Sequence, residues 1–521
     1  MKSRLLSGAV VLAVSSVVAK VLGALYRVPL TNILGAEGMG LYQLVFPIYA
    51  LFLTMSTSGL PTALSRIVAE KKTRGESCKK FLVATAIMLI SFCIISAILV
   101  ALLSPYTSKL QGNSDTQLGF WIIAPAIIFV GGIAVLRGWF QGNFNMLPTA
   151  LSNIIEQVVK LAVGLTLSIV FAKYYGVVYA VYGALIGVTL SEIVALSYLL
   201  VTYWVKERHS KKEVLKPKFG DYKILRKVAT PIALMSFILP LSQFADSFMI
   251  VNILKNVGLA TEISTAQYGL LSGPVASLIN LPIVILLSLS IAIVPNVSAG
   301  RVARDLDGIM RKSALSIKLT YLIGVPSALF FLVFARPIVA LLYPNIGDAS
   351  ISLTITLLSI SSVSIVFLSA MQVYTALLQA LDRTMLPVRN LAIAVVIKIA
   401  LSFVLTYKLG IVGSAISNVV MSAVAYTLNA ISFRNYLGQD IKLVKNLSAI
   451  LFSGVIMALS GFAIVALSDN PIVEITVGAV VCTAVYTIIT LAGNTIDDNE
   501  ANSLPFGNTI IRMKKSLRFW E

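Results

Sequence analysis

The strongest constraint in this sequence is the length of its apolar runs. The stretch "FLVATAIMLISFCIISAILVALL" (81–103) carries no charged residue, and "GVIMALSGFAIVALS" (454–468) repeats the pattern near the C-terminus. A run of about 20 apolar residues spans a bilayer as a helix. Inside lipid the backbone must satisfy its own hydrogen bonds, and these continuous runs do so as helices. The chain has 521 residues, 58% of them hydrophobic and 12% charged, about half the charge of a soluble domain. It reads as an all-α polytopic membrane protein.

Apolar runs set against loops predict fourteen helices, near 5–28, 42–64, 81–104, 119–138, 150–172, 177–205, 229–253, 268–297, 313–335, 352–378, 388–408, 412–433, 446–467 and 471–493. The N-terminal run is too long for a signal peptide, is interrupted by Lys20 and lacks a small-x-small cleavage site, so it reads as a retained first span. Lys and Arg cluster in 66–80, 206–227, 301–312, 434–445 and 512–518, each after an even-numbered helix. The positive-inside rule then places both termini in the cytoplasm of a bacterial plasma membrane. The net charge of +19 is mostly a topology signal. No nucleic-acid partner is expected, because the basic residues sit in short loops rather than on one surface.

Several chemistries lack their residues. The single histidine, His209, lies in a basic loop, which argues against His-based metal sites and acyl transfer. Cys78, Cys93 and Cys482 are scattered and suggest no disulfide framework. No GxxxxGK[ST] loop occurs, so ATP hydrolysis is not expected. The glycine-rich "LGAEGMG" (34–40) follows no strand and reads as a turn in the external loop 32–40. No catalytic residue, metal site or cofactor is expected.

An internal repeat organises the rest. "QGNFNMLP" (141–148) and "QALDRTMLP" (379–387) each precede an odd-numbered helix, and the small-residue helices after them, 181–199 and 411–429, resemble each other. Residues 1–215 and 216–440 read as two six-helix bundles, with 441–521 adding two helices and a basic tail. An even number of helices gives parallel repeats, with a substrate site between the halves and alternating access by rocking.

Charges inside spans mark the candidate site, since each costs about 2.5–3.5 kcal/mol at mid-bilayer and needs a partner or a cavity. Glu156 and Lys160, with Gln157 between them, lie i,i+4 on one face of helix 5. An ion pair between them and a ligand site are both open readings. In the repeat Lys160 aligns within one residue of Lys398, but Glu156 faces Ala394, so a lysine recurs without its acid. That points to a cationic cavity accepting an anion, joined by Lys20 and by Arg27, a cavity residue or one that snorkels to the interface. Lys318 and Arg336, near helix ends, read as snorkelling. Asp246 with Gln243, and more weakly Glu192, are the deep acidic candidates for an ion site or counter-charge. Pro29, Pro47, Pro61, Pro240, Pro282 and Pro295 mark helices 1, 2, 7 and 8 as bending, gating elements.

The segments "AKVLGALYRVPLTNILGAEGMGLYQLVFPIY" (19–49) and "LRGWFQGNFNMLP" (136–148), with the fourteen-helix plan, resemble the polysaccharide-exporter branch of the multidrug/oligosaccharidyl-lipid/polysaccharide (MOP) superfamily. Within it they are similar to the stage V sporulation protein B group, relatives of MurJ-type lipid II flippases. The resemblance implies a V-shaped transporter that moves an undecaprenyl-diphosphate-linked saccharide, such as a peptidoglycan precursor, from the inner to the outer leaflet. It also implies a monomer among membrane lipids, near cell-wall synthesis enzymes. Lys20 stands where those flippases place a cavity arginine on helix 1, and Arg27 lies near a second. Their helix 2 arginine is missing from "PIYALFL" (47–53). Of the sodium-site acids on helices 7 and 11 in some relatives, Asp246 matches the first, and Asn390 is what helix 11 offers. Coupling to Na+, to H+ or to the membrane potential stays open. A multidrug cation antiporter, a membrane enzyme and a non-transporting cell-wall scaffold are the rival readings.

Overall fold

Among the described residues the chain forms helices and turns and no strand. The computed structural model describes residues 2–74, 76, 78–207, 216–438, 444–493, 495, 497–502 and 507–518, so His209 and much of the basic linker around it lie outside them. Packing divides the chain into two compact units, Met1–Ser277 with Thr406–Ile411, and Leu278–Leu405 with Val412–Glu521. A compact unit is defined by packing and a repeat by sequence, so this division leaves the six-helix repeat as a separate matter.

The first unit holds α1 (Lys2–Ser58), α2 (Leu60–Thr73), α3 (Lys79–Leu110), α4 (Thr116–Gly142), α5 (Leu147–Val159), a π-helical turn (Lys160–Gly164), α6 (Leu165–Tyr175) and α7 (Val177–Glu207). It continues through α8 (Phe219–Asn256), α9 (Thr261–Leu270), a second π turn (Leu271–Val275) and the first residues of α10 (Ala276–Ala303). Twelve described segments are long and apolar enough to cross a membrane. One of them, Val14–Thr73, contains two of the expected spans, because α1 is two helices joined at Gly35 (φ 65°, ψ −171°). The run Thr261–Ala303 stands where the eighth span is expected. The plan of about fourteen helices holds.

Local details differ from the sequence reading. The connection expected over 32–40 shrinks to Gly35, whose positive φ suits glycine, with helix on either side. The second span breaks at Gly59, and Pro61 occupies the first turn of α2. There a missing N–H costs nothing, so Pro61 starts a helix rather than bending one. The fifth span is interrupted by the π turn that begins at Lys160. That turn lies against α7 through paired glycines: a Cβ on Gly187 would stand 2.2 Å from the Gly164 Cα. The core of the unit gathers Leu30, Leu34, Val45, Phe81, Phe120, Ile127 and Leu185, all 2% exposed or less.

The second unit continues α10 and adds α11 (Leu306–Val333), α12 (Ala335–Leu342), α13 (Asp348–Ser362), α14 (Ser364–Ala380), α15 (Met385–Leu409, apart from Thr406–Leu409), α16 (Ile411–Leu437, from Val412), α17 (Val444–Leu467), α18 (Pro471–Ala492), α19 (Asp498–Asn502) and α20 (Gly507–Arg518). The two "MLP" elements share one backbone. Phe144 and Asp382 take the left-handed conformation at φ 61° and 62°. After each, an amide bonds back to close the preceding helix, Asn145 N to Phe140 O at 2.9 Å and Arg383 N to Leu378 O at 2.8 Å. A chain reversal of this kind ends a helix through its left-handed residue. Lys318 departs from its expected role: it does not snorkel but is 3% exposed and donates to both carboxylate oxygens of Glu500, at 3.0 and 2.7 Å. Arg336 is exposed. Cys78, Cys93 and Cys482 are free thiols.

Candidate functional site

Four helices of the first unit, α1, α4, α5 and α7, bring charge together. Near the C-terminal end of α4, Arg137 turns toward α5. Its Nη2 donates to Glu156 Oε2 at 3.1 Å and its Nε to Ser152 Oγ at 2.9 Å. Gln157 Nε2 donates to the other Glu156 oxygen at 3.0 Å. Glu156 is therefore paired across helices, and the i,i+4 ion pair with Lys160 does not form. A guanidinium fork engages a carboxylate and a second acceptor together, which a flexible ammonium one turn away does less well.

Lys160 opens the π turn, and its Nζ lies 5.7 Å from the centroid of the Tyr26 ring, over the face. Among the described residues no carboxylate stands within ion-pair distance of that ammonium. Tyr26 is 2% exposed, packs beside Gly164 of the same turn, and its hydroxyl finds no hydrogen-bond partner among the described residues. One face of α1 thus offers Lys160 an aromatic surface and leaves a buried donor beside it. π turns of this kind recur at functional sites.

The remaining α1 candidates are spread out. Arg27 Nη1 donates to Ser277 Oγ at 3.0 Å, and its Cζ lies 5.9 Å from the Phe46 centroid. Gln157 Oε1 lies 3.4 Å from where a Cβ on Gly23 would stand, which places it against α1. Lys20 is exposed. Glu192, on α7, is 3% exposed and accepts a 2.6 Å hydrogen bond from Tyr49 Oη.

The expected ion-site residues fall in different units. Asp246, 9% exposed, and the exposed Gln243 lie on α8 of the first unit. Asn390 lies on α15 of the second, 2% exposed, where its amide donates to Asn429 Oδ1 at 3.0 Å and Ser432 Oγ at 2.9 Å. Lys398 is also in the second unit and 1% exposed. No group of three or more His, Cys, Asp or Glu among the described residues is arranged to hold a metal. The sequence reading missed Arg137, Tyr26 and Tyr49. Arg137 had a signal, as a charge ending an apolar run in "LRGWFQGNFNMLP". The tyrosines had none, because their partners are remote in sequence.

A part-buried charge cluster lies inside a bundle of apolar spans, the plan of a polytopic membrane protein, and solved structures agree on the fold. A lipid II flippase MurJ in an inward closed conformation aligns with a TM-score of 0.74 at 15% identity, over 92% of this chain and 98% of that one. A multidrug resistance MATE family transporter of the MOP superfamily, inward-facing, aligns with a TM-score of 0.67 at 17% identity, over 80% of this chain and 94% of that one. The chain belongs to the polysaccharide biosynthesis protein family, which it matches over residues 5–300. The MatE family matches residues 231–404. Stage V sporulation protein B of Bacillus subtilis (strain 168) is 29% identical over 527 residues, 98% of this chain and 100% of that protein.

Proposed function

We propose that this protein is a flippase that carries an undecaprenyl-diphosphate-linked saccharide, of the lipid II type, from the inner to the outer leaflet. The observation that carries the reading is the Lys160 ammonium. Glu156 is held by Arg137, so Lys160 stands in the apolar spans with a ring face and an orphan phenol beside it and, among the described residues, no carboxylate within ion-pair distance. A diphosphate supplies the missing anion: its oxygens accept from the ammonium and from the Tyr26 hydroxyl, and Arg27 adds positive field. Lys20, on the same helix as Tyr26 and Arg27, is a further cation of the proposed path. The head group crosses in a polar, cationic environment while the lipid tail stays in the bilayer. A negative cytoplasm favours export by about 2.3 kcal/mol per charge per 100 mV.

Relatives support the class: a protein named lipid II flippase shares the fold, and the family name is polysaccharide biosynthesis. A multidrug antiporter for cationic drugs would need acid at the site, and both acids of this cluster already have partners. The reading includes cytoplasmic termini, from the distribution of Lys and Arg, and no enzymatic step.

The test is exchange of a fluorescent undecaprenyl-diphosphate saccharide between leaflets of proteoliposomes under an imposed potential. Wild type should exchange it, and Lys160→Ala should slow exchange at least about tenfold, the loss of one charge-assisted hydrogen bond. A folded Lys160→Ala protein that exchanges at the wild-type rate would sink the proposed anion contact. No exchange by wild type would return the question to the antiporter and scaffold readings.

A further inference from the structure

One carboxylate beside the cluster has no part in holding the anion. Glu192 is 3% exposed, and its hydrogen-bond donor is the neutral phenol of Tyr49, at 2.6 Å. The elements packed on α7 are α1, α4, α5, the first π turn and α6. From α4 comes Arg137, the sole charge of that helix; from α5, Glu156; from the π turn, Lys160. From α1 come Tyr49, with Tyr42 beside it, and Arg27, which faces Lys160. The charge of α6, Lys173, is turned onto the Tyr174 ring at 5.7 Å.

With both acids ionised, Glu156 and Glu192 balance two of the three cations Arg137, Lys160 and Arg27. A single proton on either acid raises the excess from one cation to two. Among the described residues Glu156 has a guanidinium hydrogen-bonded to it, whereas the hydrogen-bond donor to Glu192 is a neutral phenol, and a hydrogen bond from a charged donor is about twice as strong. Of the two acids, Glu192 has the weaker hydrogen-bond donor to hold its charge.

We propose that Glu192 is a proton-binding site linked to the anion site, and that its proton adds a second unit of excess positive charge against which a diphosphate binds. The inference rests on the anion reading above and adds what regulates it. Linkage is reciprocal: acid tightens anion binding, and a bound anion holds the proton on Glu192.

The test uses the full chain in nanodiscs, with undecaprenyl-diphosphate N-acetylglucosamine as the probe. Both phosphates of this probe are esterified, so its own charge stays constant over the range. Its affinity is measured from about pH 5 to about pH 9, the span over which buried carboxyl groups titrate. Wild type should bind at least about fivefold more tightly at the acidic end, the low edge of ordinary coupling between sites. Glu192→Gln, a mimic of the protonated acid, should bind at every pH as tightly as acidic wild type. Tyr49→Phe, which keeps the carboxyl group and covers the case in which the glutamine variant misfolds, should keep the pH dependence with a shifted midpoint. A Glu192→Gln curve that follows wild type, or a flat wild-type curve, overturns the proposal. A wild type that binds no probe at any pH overturns the anion reading and the linkage built on it. The infrared carboxyl band of ligand-free protein then decides the proton site: a band that titrates in wild type and is missing from Glu192→Gln upholds it, and no such band removes it.

Discussion

Arg137 and Lys160 are both cations inside apolar helices, yet they differ in what their loss should cost. Arg137 is committed to Glu156 and Ser152. Removing it strands a carboxylate that is 18% exposed, at a cost of about 1–3 kcal/mol for an unsatisfied group. Arg137→Ala should therefore lower the melting temperature in detergent, and Arg137→Lys should recover only part of it, since an ammonium lacks the fork. Lys160 has no ion pair or hydrogen bond to lose among the described residues, and its contact with the Tyr26 face is worth about 1 kcal/mol or less. Lys160→Ala should melt close to wild type while losing exchange. If the two variants swap behaviour in thermal unfolding and exchange assays, the assignment of partners is wrong.

At the scale of elements, the start of α8 offers a pH test well outside the spans. Asp221 Oδ2 accepts from the Lys218 amide at 2.9 Å, and Oδ1 pairs with the Lys80 ammonium at 3.0 Å. Burial opposes the charge, but the Lys218 amide and the Lys80 ammonium together hold the carboxyl below its ordinary range. A carboxyl depressed in the folded state stabilises the protein above its unfolded value of about 4. That contribution fades as pH falls through the lower, folded value. Asp221 is the N3 partner of a capping box whose N-cap is Lys218, and Asp221→Ala should cost about 0.5–2 kcal/mol, with the difference from wild type narrowing below about pH 4. An equal difference at pH 3 and pH 7 in thermal unfolding would refute the ionic part of the cap. The turn at Gly187 makes a sharper demand. A valine there would drive its Cβ toward the Gly164 Cα at 2.2 Å, so Gly187→Val should abolish well-folded protein, read as loss of a monodisperse peak.

At the scale of the whole molecule, the C-terminal segment of the second unit is part of its structure. Glu500 of α19 closes on Lys318 of α11, whose side chain is 4% exposed, and Lys514 of α20 pairs with Asp498. Breaking a buried pair by removing one partner costs about 3–5 kcal/mol; Glu500 is 27% exposed, which places Glu500→Ala near the lower edge. Expression and melting temperature should fall in Glu500→Ala and recover in Glu500→Asp. A tail that only trails from the last span would leave both unchanged.

The class of the protein was legible in "FLVATAIMLISFCIISAILVALL" and its counterparts, because a bilayer imposes its demand on each segment separately. For the same reason about fourteen helices could be counted before any packing was known. The repeated "MLP" element was legible too, and the structure adds the shared left-handed residues Phe144 and Asp382. The composition of the charge cluster was partly visible, in that Glu156, Gln157 and Lys160 stand out against their neighbours. Their partners were not. Glu156 meets Arg137 at a separation of 19 residues, Glu192 meets Tyr49 at 143, and Lys318 meets Glu500 at 182. Periodicity reports only neighbours within a turn or two, so it offered Lys160 alone as a partner for Glu156, left that pair open, and suggested a snorkelling role for Lys318. The approach of α4 to α5, and of the α19 segment to α11, decided both pairings, because an ion pair is set by where helices pack and not by spacing along one of them.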